Sequence, residues 1–123
     1  MATSLLVSVV DDDESVRESL PDLLRQFGYT AQAFASAEEF LASGVVSQTR
    51  CLILDIAMPG MSGPELQSEL ARRQQSPPIV FITAHRDDAV RSRALEAGAV
   101  ECLFKPFSDD ALLSALQAAL QVR

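Results

Sequence analysis

Two hydrophobic rhythms alternate along this chain. Short, nearly unbroken apolar runs cover residues 5–10, 51–54 and 79–82. Between them lie longer stretches in which apolar residues return every three or four positions. A short apolar run closed by turn residues suits a strand buried on both faces, as in a parallel sheet, whereas the wider spacing marks a helix with one face inward. Residues 29–34 and 101–104 read as two further strands of weaker pattern. The first helix carries Val16, Leu20, Leu23, Leu24 and Phe27 and stops at Gly28. A second starts at Ser36 and turns Phe40 and Leu41 inward; after Gly44 a polar connection leads to the next strand. Ser62-Gly63-Pro64-Glu65 opens a third, combining a cap, an early proline and an acidic first turn, and Pro77-Pro78 closes its polar tail. A fourth runs from near Asp87 to Gly98 with a thin apolar face of Ala89, Val90, Ala94, Leu95 and Ala97. Ser108 caps a fifth, with Leu112, Leu113, Leu116 and Leu120 on one side.

Ser15 with Glu18 and Ser36 with Glu39 fit capping boxes, although an aspartate is an alternative N-cap for the first helix. Pro21 lies inside that helix and removes the hydrogen bond to Arg17, so a bend is expected there. Strand and helix alternate five times, which predicts an α/β fold: a doubly wound parallel sheet flanked by helices, with right-handed crossovers. At 123 residues and 48% hydrophobic, residues 1–123 form one domain with a single core's worth of apolar material.

The net charge of −7 makes the chain a poor binder of nucleic acid or anionic membrane by itself. No segment approaches the 18 or so apolar residues of a membrane span, and Met1-Ala2-Thr3-Ser4 is no signal peptide. Cys51 and Cys102 both lie in apolar runs without metal-type spacing. They read as small buried hydrophobes of a reducing, cytoplasmic protein.

The polar residues that matter fall at strand ends. Asp11 and Asp12 end the first strand, Asp55 the third, Thr83 the fourth, and Lys105 the fifth. In a parallel sheet all C-terminal strand ends point the same way, so these side chains can meet in one crevice. Each has an ordinary explanation alone: Asp11 to Asp13 as helix caps, Asp55 as the start of a turn, Thr83 as a strand residue, Lys105 as a solvated charge. Coincidence at four strand ends is harder to dismiss. Three carboxylates brought together raise the cost of ionising all of them, and a divalent cation relieves it. Hard oxygen ligands select Mg²⁺ or Mn²⁺. With Asp55 as nucleophile, Lys105 as cation and the Thr83 hydroxyl as a hydrogen-bond donor, these are the parts for phosphoryl transfer onto a carboxylate. No glycine-rich nucleotide cradle accompanies them.

Val10-Asp11-Asp12-Asp13, residues 54–63 (LDIAMPGMSG), Ile82-Thr83-Ala84 and Lys105-Pro106-Phe107 stand in one order and spacing. With that set the chain resembles the receiver domains of bacterial two-component response regulators, the CheY-like family, over essentially its whole length. Residues 36–41, Thr83-Ala84-His85 and residues 97–100 look most like FixJ-type transcriptional regulators. The resemblance implies a flavodoxin-like sheet of order 2-1-3-4-5. It implies that Asp55 accepts a phosphoryl group from the phosphohistidine of a sensor histidine kinase. Asp11, Asp12, Asp55 and the backbone carbonyl of Ala57 would hold Mg²⁺. Lys105 would pair with the phosphoryl charge, its bond to Pro106 being cis. Thr83 would move towards the phosphoryl oxygens and shift the fourth helix, fifth strand and fifth helix, where the thin apolar face of the fourth helix suits a moving element. In the family Ala57 and His85 stand at positions that flank the phosphoryl group and influence hydrolysis, although a lone loop histidine also reads as a plain surface residue.

One position departs from the pattern. Where the family commonly has an aromatic, three residues before the lysine, stands Cys102, so this switch works through a smaller side chain or without the threonine–aromatic coupling. Two other readings compete. A pseudo-receiver interaction module, stand-alone or not, would never turn over a phosphoryl group. An aspartyl phosphatase acting on metabolites would need a lid and a second acid close after Asp55, and neither is seen. No DNA-binding segment follows Arg123 in this sequence, so a stand-alone receiver and the front of a longer, transcriptional regulator are both expected forms, FixJ-like wording favouring the latter. A phosphorylation-dependent homodimer through the fourth helix and fifth strand is a further expectation of the resemblance.

Overall fold

A computed structural model describes residues 5–121; Met1-Ala2-Thr3-Ser4 lies outside them. The strands are β1 (Leu6–Val10), β2 (Thr30–Phe34), β3 (Thr49–Asp55), β4 (Ile79–Thr83) and β5 (Glu101–Phe104). They form one parallel sheet of order β2-β1-β3-β4-β5, as expected. The helices are α1 (Glu14–Gln26), α2 (Ala37–Ala42), α3 (Gly63–Arg72), α4 (Asp88–Glu96) and α5 (Asp109–Gln121).

Alternate residues of the central strands feed two cores. From β3, Leu52 and Leu54 face Phe40 of α2, Leu66 and Leu70 of α3 and Ala94 of α4, while Cys51 and Ile53 face Leu20 and Leu24 of α1 and Leu112 and Leu116 of α5. This two-sided burial explains why the runs are unbroken: neither face of residues 51–54 or of β4 meets water. The α4 helix is held most thinly, with Ala94 its sole buried residue among those described.

Several local details differ from the sequence reading. Asp13 caps α1, its carboxylate accepting from the Ser15 amide at 2.9 Å, so the Ser15–Glu18 box does not form. The reason is register: the helix starts at Glu14, which leaves Ser15 inside its first turn. Pro21 sits buried in α1 without interrupting it. Ser36 caps α2 through the Glu39 amide, but the Glu39 side chain reaches back to the Ala35 amide instead of closing a box. The box does close at α3, between Ser62 and Glu65. The polar connection before β3 contains a 3₁₀ turn, Val46–Gln48, and the strand begins at Thr49. There the buried Thr49 hydroxyl donates to the Val45 carbonyl and meets the Ser8 hydroxyl at 2.8 Å, which satisfies the one polar residue in the middle of β1.

The most tightly seated glycine lies at the start of α3, against the end of β3. A Cβ on Gly63 would sit 2.4 Å from the Asp55 carbonyl oxygen, 2.9 Å from the Phe81 ring and 3.0 Å from the Ile56 Cα. Two of those neighbours are backbone and cannot rotate away. Gly63→Ala is therefore expected to destabilise the domain by about 2–3 kcal/mol, lowering the melting temperature by roughly 10 °C. Thermal unfolding followed by circular dichroism checks this, and a shift under about 2 °C would mean that the loop yields instead.

Candidate functional site

The sheet brings the acidic and basic strand ends into one crevice. Asp11 follows the last residue of β1 and is wholly buried. Its amide donates to the Phe34 carbonyl of β2, and its Oδ1 accepts from the Asp13 amide at 2.9 Å. Asp55 closes β3 and is 6% exposed, while Asp12 lies open to solvent. One carboxylate oxygen from each of Asp11, Asp12 and Asp55 lies within 4.8 Å of the others. Lys105, the residue after β5, reaches across the crevice: its Nζ donates to Asp11 Oδ2 at 2.8 Å and stands 3.9 Å from Asp55 Oδ2. The Lys105–Pro106 peptide bond is cis, as expected.

This crowding has a clear electrostatic signature. Burial is the main reason that the Asp55 carboxyl titrates far above its ordinary range, at about 7; the Asp11 charge pushes the same way and Lys105 opposes it. Burial works against the Lys105 ammonium, yet the hydrogen bond to Asp11 and the charges of Asp55 and Asp11 raise its pKa overall. Lys105 thus pairs with two of the three clustered carboxylates, Asp11 and Asp55, and leaves Asp12 without its contact. The remaining imbalance, together with an all-oxygen donor set, fits a hard divalent cation of the Mg²⁺ or Mn²⁺ kind.

Thr83 ends β4 and is buried at 3% exposure. Its Oγ1 accepts from the His85 amide at 3.1 Å, and its carbonyl accepts from the Lys105 amide at 2.7 Å. Ala57 lies in the loop two residues past Asp55, and the His85 side chain is exposed. Cys102 is not part of this cluster. It lies on β5 opposite Phe81, inside the core shared with Ala94 and Ala99. The aromatic that does stand near the lysine is Phe104, whose ring centroid lies 5.3 Å beneath the Arg86 guanidinium. The Arg91 side chain joins α4 to β5 by an ion pair with Glu101 at 2.9 Å and a bond to the Cys102 carbonyl.

Sequence reasoning missed two supporting side chains. Arg17 donates to the Asp11 carbonyl at 3.0 Å, and Glu38 accepts from the Met61 amide at 3.1 Å. An arginine one turn into α1, on the side of the acids, is a faint signal for the first. Nothing in the local sequence announces the second, because 23 residues separate the partners.

Comparison with known proteins places this geometry. Residues 7–117 match the response regulator receiver domain family. Nodulation protein W of Bradyrhizobium diazoefficiens is 47% identical over 120 residues, which cover 98% of this chain and 53% of that protein. The response regulator StyR superposes with a TM-score of 0.88 at 50% identity, over 97% of this chain and 60% of that one. The FixJ-N structure superposes with a TM-score of 0.87 at 36% identity, over 100% and 98%. The chain spans about half the length of the curated relatives it matches.

The Asp55 titration carries a stability consequence. The folded state holds this proton up to about pH 7, whereas an unfolded chain releases it near 3.8, so without metal the domain loses stability as pH rises from about 4 to 7. Asp55→Asn has no such proton to lose. Its advantage over the parent chain in urea midpoints, measured with a chelator, is expected to be on the order of 1–3 kcal/mol larger at pH 8 than at pH 5. An advantage that is the same at both pH values would contradict the raised pKa.

Proposed function

From the premise that this chain belongs to the response regulator receiver domain family, we propose that it is a phosphorylation-activated switch of a two-component system. It acts in the cytoplasm, its donor is the phosphohistidine of a sensor histidine kinase, and residues 1–123 are one receiver domain. The observation that carries this is the placing of Asp55: a nearly buried carboxylate at a strand end, 3.9 Å from the Lys105 ammonium and clustered with Asp11 and Asp12.

The chemistry follows from those groups. An Asp55 carboxylate oxygen attacks phosphorus as the phosphorus–nitrogen bond to the donor imidazole breaks. The departing nitrogen keeps the electron pair, and an acyl phosphate forms on Asp55. Only the ionised carboxylate is nucleophilic, so the raised pKa of Asp55 must be offset before reaction. A divalent cation held by Asp11, Asp12, Asp55 and the Ala57 carbonyl would supply that charge and balance the incoming phosphoryl group. Lys105 is already within reach of the Asp55 carboxylate and pairs with the phosphoryl oxygens. Asp11 orients Lys105 by its 2.8 Å bond.

Thr83 then reads the result. Its hydroxyl hydrogen is free to be donated to a phosphoryl oxygen while the oxygen keeps or gives up the His85 amide. Any such movement pulls on the loop that leads into α4, the helix with the thinnest hold on the core. Cys102 is too small to follow the threonine as an aromatic would, so the shift of α4, β5 and α5 is transmitted through the Arg91 and Arg86 contacts to β5. The output is transcriptional control through a domain outside this chain, in keeping with relatives such as the transcriptional regulatory protein FixJ of Azorhizobium caulinodans. A phosphorylation-dependent homodimer through the α4–β5 face belongs to the same reading.

Intact mass after incubation with acetyl phosphate and Mg²⁺ tests the proposal. One added phosphoryl group is expected, lost in Asp55→Asn and in chelator; Lys105→Ala is expected to slow uptake by roughly 10²-fold or more, the usual scale for losing one charge-stabilising group. If the parent chain neither gains mass nor binds beryllofluoride, the pseudo-receiver reading replaces this one. Thr83→Ala is expected to leave the added mass intact but to abolish the phosphorylation-linked change in mass by light scattering. A dimer that forms equally well in that variant would remove Thr83 from the switch.

A further inference from the structure

Residues 56–62 carry the chain from Asp55 to the first residue of α3. Both ends of this loop are pinned by nearby bonds. The Ile56 amide donates to the Ile82 carbonyl at 3.1 Å, the Gly63 amide to the Ile56 carbonyl at 2.9 Å, and the Ser62 amide to Glu65 at 2.8 Å. Among the described residues, the loop has one hydrogen bond to a side chain from elsewhere in the fold: the Met61 amide donates to Glu38 Oε2 at 3.1 Å. A carboxylate accepting from a backbone amide makes a charge-assisted bond, stronger than a neutral one.

Glu38 lies in the first turn of α2, a helix fixed by Ala37 and Phe40, both at 0% exposure, and capped by Ser36. The loop is therefore tied to a firm element. The fit is close, because a Cβ on Gly60 would lie 2.9 Å from the same Glu38 oxygen. Gly60 also has φ of +74°, so glycine there both permits the left-handed turn and makes room for the carboxylate.

We propose that Glu38 is a positioning residue for the acid site: by holding the Met61 amide it fixes the loop that carries Ala57 away from Asp55, and so sets how tightly the site takes a divalent cation. This rests on the reading of Asp11, Asp12, Asp55 and Ala57 as the cation-holding set. Glu38 touches neither cation nor phosphoryl group and acts through the shape of the loop. Glu38→Gln keeps an oxygen acceptor in place, whereas Glu38→Ala removes it. Supporting groups of this kind change metal affinity about tenfold or more when lost.

The experiment is calorimetric titration of the whole chain with Mg²⁺, paired with hydrogen exchange at the Met61 amide. Glu38→Ala is expected to bind Mg²⁺ about tenfold more weakly and to exchange that amide faster, with Glu38→Gln close to the parent on both. Phosphoryl uptake by Glu38→Ala should recover once Mg²⁺ is raised by the same factor. Unchanged Mg²⁺ affinity in a folded Glu38→Ala overturns the proposal. So does a Glu38→Gln as impaired as the alanine variant, which would assign the effect to charge and not to the bond. Should Glu38→Ala fail to fold, Gly60→Ala displaces the same carboxylate from the loop side, and unaltered Mg²⁺ binding there also overturns it. A parent chain that binds no Mg²⁺ sinks the reading of the site itself, and that result is seen before any Glu38 variant is made.

Discussion

Three carboxylates confined at the ends of two neighbouring strands, with one lysine between them, set the terms for everything around the site. Asp11 is wholly buried and Asp55 nearly so, yet among the described residues only Lys105 forms an ion pair with them. A cluster of like charges in a poorly solvated place is costly unless it is paired or neutralised. Sheet topology alone makes it possible: β1 and β3 are adjacent and parallel, so both deliver an aspartate at the same edge. The fold stores an electrostatic imbalance there, which protonation or a cation can each resolve.

The supporting structure is organised to keep that cluster in place. The runs feeding it are buried on both faces, which fixes their register, since a one-residue slip would exchange the two cores. Asp13 caps α1 directly after the acids, and Arg17 holds the Asp11 carbonyl. On the other side Lys105 is located by the bond from its amide to Thr83, so cation and hydroxyl are set by the same pair of strands.

The fold and the cluster were legible in the sequence for one physical reason: unbroken apolar runs can only be doubly buried strands, and charged residues at their ends can only be at the sheet's edge. Asp11, Asp12, Asp55 and Lys105 follow from that logic without any contact being known. What stayed illegible depends on distances in space. The Glu38–Met61 bond spans two elements, the Arg86–Phe104 and Arg91–Glu101 contacts depend on how α4 leans, and the cap of α1 turned on two residues of register. Cys102 shows the difference well. The sequence marked it as unusual, but only the structure shows it sunk in a core beside Ala94 and Ala99, with Phe104 as the half-buried aromatic of that strand.

The close seat of Gly63 on the Asp55 carbonyl gives the molecule a fulcrum. On that side of the site the backbone has no slack, since α3 is wedged against the very residue that bears the carboxylate. On the other side α4 rests on a single buried alanine and the Arg91 contacts to β5. A push arising at Asp55 therefore has a stiff wall behind it and a compliant one ahead. Under the proposed switch, a displacement arising at Asp55 would meet more resistance from α3 than from α4 and β5, so stiffness would bias its direction before any particular side chain carried it.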